Sequence, residues 1–117
     1  MTDTKIIGHR GEELAKDYLL RQGWDLIKTN YRLPFGEVDI LAKDGDTIVV
    51  VEVKAKTNLR FGLPQEEVTI QKQAKLKKLA NKISQDFPER LIRIDVLAID
   101  YSQKPPKIDH IINAVEA

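Results

Sequence analysis

The chain has 117 residues, 42% hydrophobic and 32% charged, which suits one globular domain spanning residues 1–117 whose core needs no disulfide or structural metal. It has no cysteine, which excludes thiolate metal sites and a cysteine nucleophile. A net charge of +1 gives no overall pull toward nucleic acid, so any such attraction must come from local patches.

Met1 to Arg10 carries no apolar signal-peptide core, so a cytoplasmic location is expected. A first helix is predicted over residues 10–22, with Leu14, Ala15, Tyr18 and Leu19 on one stripe and Gly23 as its terminator. At about 100° per residue, Glu12 falls at the edge of that stripe and Glu13 on the solvated side. Glu12 therefore either favours the helix start or reaches into the sheet as an extra acid. Residues 25–31 read as a short strand, followed by a turn at Pro34-Phe35-Gly36.

Residues 37–42 and 47–55 read as two strands joined by Lys43-Asp44-Gly45-Asp46, the strongest hairpin signal in the chain. Ile48 to Val51 is the longest apolar run, too short to cross a bilayer. It marks a central strand covered on both faces, so no membrane partner is expected. With a loop centred between Asp44 and Gly45, Asp39 would sit opposite Val50 and Glu37 opposite Glu52. Glu37, Asp39, Leu41, Ile48, Val50, Glu52 and Lys54 would then share one face. Val38, Ile40, Ala42, Val49, Val51, Val53 and Ala55 would share the other, wholly apolar face. An odd loop would separate Asp39 from Glu52.

In this register Asp39 and Glu52 are diagonal neighbours, on the order of 7 Å apart at the backbone. Unpaired acids beside a central strand repel one another, and a divalent cation resolves the conflict. Oxygen-only ligands suit Mg²⁺ or Mn²⁺, held by Asp39 and Glu52, with Glu37 as a secondary acid. Lys54, on the same face, is placed to hold a phosphate oxygen or to activate water. The competing reading makes Lys54 a plain salt-bridge partner of Glu52 or Glu37.

A loop holding Phe61, Gly62, Leu63 and Pro64 precedes a second helix, predicted over residues 68–86 and stopping before Pro88. Its inner face is Val68, Leu76, Leu79, Ala80 and Ile83. Residues 71–82 contain five lysines and no acid, either a solvated face or a phosphate-binding patch. Lys72 alone falls within the apolar stripe, so it either snorkels or points into a site. Residues 91–100 alternate as a strand that includes Asp95, a further acid with no evident site. Pro105-Pro106 turns the chain, and residues 108–113 read as a last strand. Trp24, Tyr31 and Phe61 are candidate base-stacking aromatics, with core packing the competing role for the first two.

Asp39 followed by Glu52-Val53-Lys54 resembles the active-site pattern of the PD-(D/E)XK nuclease superfamily. The wider set resembles the YraN-like family, grouped with endonucleases and archaeal-type Holliday junction resolvases. That set is Gly11-Glu12 with Ala15, Asn30-Tyr31-Arg32, Gly36 to Ile40, Val51 to Lys54, Gly62, Lys72, Ala80 and Asp95-Val96. Three positions depart from the family pattern. Val50 stands where an aromatic is usual, Lys56 where arginine is usual, and Ile94 where phenylalanine is usual. The resemblance implies an α/β fold with a restriction-endonuclease-like αβββαβ core, a mixed central sheet flanked by helices. It implies metal-dependent hydrolysis of DNA phosphodiesters with Asp39, Glu52, Lys54 and Glu12 as catalytic residues. It further implies the Val53 carbonyl as an extra ligand, Lys56 and Lys72 as nucleic-acid contacts, and a homodimer by analogy. A nuclease fold that binds nucleic acid without turnover is the alternative.

Overall fold

A computed structural model describes the backbone of residues 3–56 and 69–115, and the side chains of residues 10–55 and 69–115. Helix α1 spans Asp3–Arg21 and helix α2 spans Ile70–Ser84. The strands are β1 Asp25–Leu33, β2 Gly36–Asp44, β3 Thr47–Lys56, β4 Ile92–Asp100 and β5 Lys107–Val115. They form one five-stranded sheet in the order β1-β2-β3-β4-β5. Only β3 and β4 pair in parallel, with α2 in the connection between them. This is the mixed sheet flanked by helices, in restriction-endonuclease-like αβββαβ order, that the sequence predicts. The Phe61–Pro64 loop and Val68 lie outside the described residues.

Local chemistry sets the ends of these elements. α1 begins seven residues earlier than the apolar stripe predicts, at Asp3. It stops in a Schellman arrangement: the Gly23 N–H donates to Leu20 O at 3.0 Å and the Trp24 N–H to Leu19 O at 3.1 Å. Gly23 takes φ +86°, which a glycine adopts without steric cost. α2 is capped by Thr69, whose hydroxyl accepts from the Lys72 N–H at 3.2 Å.

Two cores lie on the two faces of the sheet. Val49, Val51, Ile40, Ala42, Leu97 and Ile99 pack with Ala15, Leu19 and Trp24 on the α1 side. Leu41, Ile48, Val50 and Ile94 pack with Leu76, Leu79, Ala80 and Ile83 on the α2 side. β3 is covered on both faces, as its unbroken apolar run demands.

The β2–β3 hairpin keeps the expected faces but shifts the register by two. Asp44 pairs with Thr47 and Leu41 with Val50, so the loop is the two residues Gly45 and Asp46. Gly45 takes φ +61°, the positive value that tight hairpin turns require at their first central residue. The paired ladder ends at Ile40 and Val51. Beyond it the beginning of β2 stays paired with β1 alone, through Tyr31↔Val38 to Leu33↔Gly36. Val38 packs on the α2 side although Ile40, two residues on, packs on the α1 side. The backbone has turned between them, at Asp39, beside Asn30 with φ +50°. The uniformly apolar face predicted for this strand therefore breaks at Val38. Asp39 sits at the fork where β2 leaves β3.

Candidate active site

At Glu52, Val53 and Lys54 the fork leaves the β2-facing edge of β3 without a ladder partner, while the other edge stays paired with β4. The Asp39 carboxylate fills part of the gap, accepting the Val53 N–H at 2.8 Å. Continuing the ladder register by one step sets Asp39 across from Glu52, closer than the diagonal placement expected from sequence. The two carboxyl groups stand close enough for Glu52 to act on the ionisation of Asp39. Glu52 is only 4% exposed and lies on the α2 side of β3.

Two lysines answer this buried charge. Lys72, in the first turn of α2, brings its Nζ to 2.7 Å from Glu52 Oε2, and Lys54 Nζ lies 3.9 Å from the same oxygen. The Lys72 approach is an ion pair by distance, yet among the described residues Glu52 Oε2 has no hydrogen-bond donor of good angle. Glu12 comes from α1, close enough for its charge to act on Asp39. Gly11 explains that reach: a Cβ there would sit 3.4 Å from Ala55 Cβ, so α1 lies directly on the end of β3.

Burial pushes the Asp39 carboxyl up to about 8, helped by the neighbouring Glu52 carboxyl and its charge. The Val53 N–H pulls the other way, and Glu12 adds to the rise. Asp39 thus keeps its proton at neutral pH.

Asp39, Glu52, Lys54, Lys72 and Glu12 therefore meet, drawn from α1, β2, β3 and α2. Glu37 does not stand beside Glu52, because the shifted register carries it past the fork. Its carboxylate pairs with Arg32 Nη2 at 3.3 Å. Lys56 ends β3, and its side chain lies outside the described residues. Of the aromatics, Trp24 is buried against His110, and Tyr31 packs on the α2-side core with Lys28 Nζ 4.3 Å from its ring centre. Phe61 lies outside the described residues.

The expected Mg²⁺ or Mn²⁺ must be withdrawn. Among the described residues, no group of three or more histidine, cysteine, aspartate or glutamate side chains is placed to hold an ion. The Val53 carbonyl, implied as a further ligand, goes with it. The chain balances the acids itself, with the Lys72 ammonium, the Lys54 ammonium and the proton on Asp39.

A second buried carboxylate, Asp95, belongs to a separate cluster. Arg93 donates from Nε at 2.9 Å and from Nη2 at 3.0 Å. The Asn113 N–H donates at 2.9 Å, and His110 Nε2 lies 2.7 Å from Oδ2. Tyr18 OH lies 3.1 Å from His110 Nδ1. Sequence reasoning singled out Asp95 but missed Arg93 and His110, whose partners appear only once β5 is folded onto β4.

The model of the family described as "Uncharacterised protein family UPF0102" matches residues 11–99, from Gly11 to Ile99. The chain belongs to this family. A UPF0102 protein of Thermodesulfovibrio yellowstonii is 46% identical over 112 residues, covering 92% of this chain and 94% of that protein. One from Caldicellulosiruptor bescii is 45% identical over 100 residues, covering 81% and 82%. One from Dehalococcoides mccartyi is 42% identical over 116 residues, covering 95% and 93%. The UPF0102 match takes in every residue of the site described above and Asp95, but not His110.

Proposed function

We propose that this UPF0102 protein is a cytoplasmic endodeoxyribonuclease that hydrolyses DNA phosphodiesters at the Asp39–Glu52–Lys54 site, kin to the PD-(D/E)XK nucleases its motif resembles. The observation that carries the reading is convergence: Asp39 accepts the Val53 N–H at the fork beside Glu52, while Lys54 and Lys72 both face Glu52 Oε2. Acids that can take a proton stand beside cations that can hold a phosphate. Such a centre lies at the carboxyl end of a parallel strand and the start of the following helix, a common position for phosphate-binding sites in α/β sheets.

The chemistry assigned to this chain's residues is proton transfer and charge stabilisation. The carboxyl pair takes a proton from the attacking water as the new P–O bond forms and the bond to one nucleotide oxygen breaks. Lys54 and Lys72 stabilise the charge that grows on the phosphoryl oxygens. Glu12 orients water through its proximity to Asp39.

Incubating the protein with branched, single-stranded and duplex DNA, with and without a chelator, tests this. Cleavage should fall by about 100-fold or more in Asp39→Asn and Glu52→Gln. No cleavage of any of the three DNAs, or equal cleavage by both variants, would refute the reading. A second reading, DNA binding without turnover, is favoured by the Lys72 ammonium lying 2.7 Å from Glu52. It predicts steeply salt-dependent binding with no product.

A further inference from the structure

We infer that the tip of the β1–β2 hairpin is a contact for unpaired DNA: Phe35 stacks on an exposed base while Arg32 and Lys75 hold the flanking phosphates. This rests on the reading of the fork as a DNA-acting site, and it narrows the substrate to DNA with a single-stranded or splayed segment.

Phe35 occupies the two-residue turn between Leu33 and Gly36. It is 43% exposed, and it is the one exposed Phe, Tyr or Trp among the described residues. Its neighbours Tyr31 and Leu33 pack inward on the α2-side core, so the hairpin end is already anchored without it. An exposed phenyl ring on an anchored turn offers a π-face at little ordering cost, which is what base stacking needs.

Two cations lie at the same hairpin end, Arg32 and Lys75. The Arg32 side chain is 84% exposed, and its pairing with Glu37 at 3.3 Å is a surface contact of little strength. Gly36 matters here for its missing side chain. A Cβ at Gly36 would fall 2.8 Å from Lys75 Cε, so the Lys75 side chain lies across the turn and a larger residue at 36 would push its end aside. Lys75 has no carboxylate partner among the described residues. Lys72 and Lys75 are three apart on α2, neighbours at roughly 5–6 Å. The positive charge therefore runs from Glu52, through Lys72 and Lys75, to the hairpin turn.

Distance fits a strand of DNA. Gly36 to Asp39 is three residues of extended chain, roughly 10 Å. At about 3.4 Å per nucleotide, a strand stacked on Phe35 reaches the fork about three nucleotides later. An open recess of about 260 Å³, lined by Arg32, Leu33, Gly36 and Glu37, lies at the hairpin end.

The test is fluorescence polarisation of the full chain with labelled single-stranded, forked and blunt duplex DNA, comparing wild type, Phe35→Ala and Phe35→Trp. Phe35→Ala should bind the single-stranded and forked DNA about ten-fold more weakly and the blunt duplex as wild type does. Its melting temperature should be unchanged. Phe35→Trp should bind as wild type does, with its indole emission quenched by single-stranded DNA. If wild type binds DNA but Phe35→Ala matches it on all three, the tip proposal is overturned and the proposed function stands. Equal loss on duplex and single strand overturns base stacking. A wild type that binds none of the three overturns both readings. If Phe35→Ala changes only the sedimentation coefficient, the ring serves self-association and the proposal fails.

Discussion

Two buried carboxylate centres in this protein are built on opposite principles. Asp95 is fully buried and fully answered, with Arg93, His110 and the Asn113 N–H around its two oxygens. The Asp39–Glu52 pair is under-answered. Among the described residues Asp39 has one backbone donor and Glu52 Oε2 no donor of good angle, and the two acids lie so close that Asp39 holds a proton. A satisfied network fixes structure, as buried polar groups must when nothing else reaches them. An unsatisfied one destabilises the fold and persists where chemistry uses it.

Removing the carboxylate of each centre separates the two most sharply. Asp95→Ala strands the Arg93 charge and a backbone N–H, and should cost about 3–5 kcal/mol in urea unfolding. Asp39→Asn, which keeps an acceptor for the Val53 N–H, should leave stability near wild type at acid pH. Equal destabilisation by both would erase the contrast.

The next effect is in the pH dependence. Below about pH 4 Asp39 is protonated in both the folded and the unfolded chain. Above it the unfolded chain ionises near the ordinary 3.8 while the fold keeps its proton up to about 8. Folded protein binds more protons across that window, so its stability falls as pH rises from about 4 to about 8. Thermal melts at pH 5, 7 and 9 should show this fall in wild type and a flatter profile in Asp39→Asn.

Smaller changes follow at the cations. Lys72→Met leaves Lys54, at 3.9 Å, as the one cation facing Glu52 among the described residues. It should cost about 1 kcal/mol, and in DNA titrations it should lower the salt slope by about one. Arg32→Ala, at an exposed pair, should change stability by less than about 0.5 kcal/mol. Arg93→Ala gives the contrast to Lys72→Met: it should destabilise by several-fold more and leave the salt slope alone.

Much of this was legible from residues. The apolar run of β3, the Gly23 stop and the Asp44-Gly45 signal placed the elements, and even loop length put Asp39 and Glu52 on one face. The register was not legible, because Asp44 pairs with Thr47 and hands the turn to Gly45 and Asp46. Nor was the fork, since strand periodicity assumes a regular pleat and the backbone turns at Asp39. Phe35 looked like an ordinary turn residue, as its exposure depends on the hairpin leaving the sheet. The cation expectation failed for a similar reason. Sequence placed the acids together but did not show that Lys72, twenty residues after Glu52, returns through the crossover to the same carboxylate.

That crossover also sets an order of events. β2 and β3 are joined by a two-residue turn and close early, whereas the parallel β3–β4 pairing waits for α2 to be made and to cross the sheet. During synthesis the Asp39–Glu52 pair therefore exists before its lysine arrives. The acids lack that cation until α2 docks, so completion of the centre is coupled to the long-range β3–β4 crossover. A chain that has not finished folding therefore holds Glu52 without its Lys72 partner.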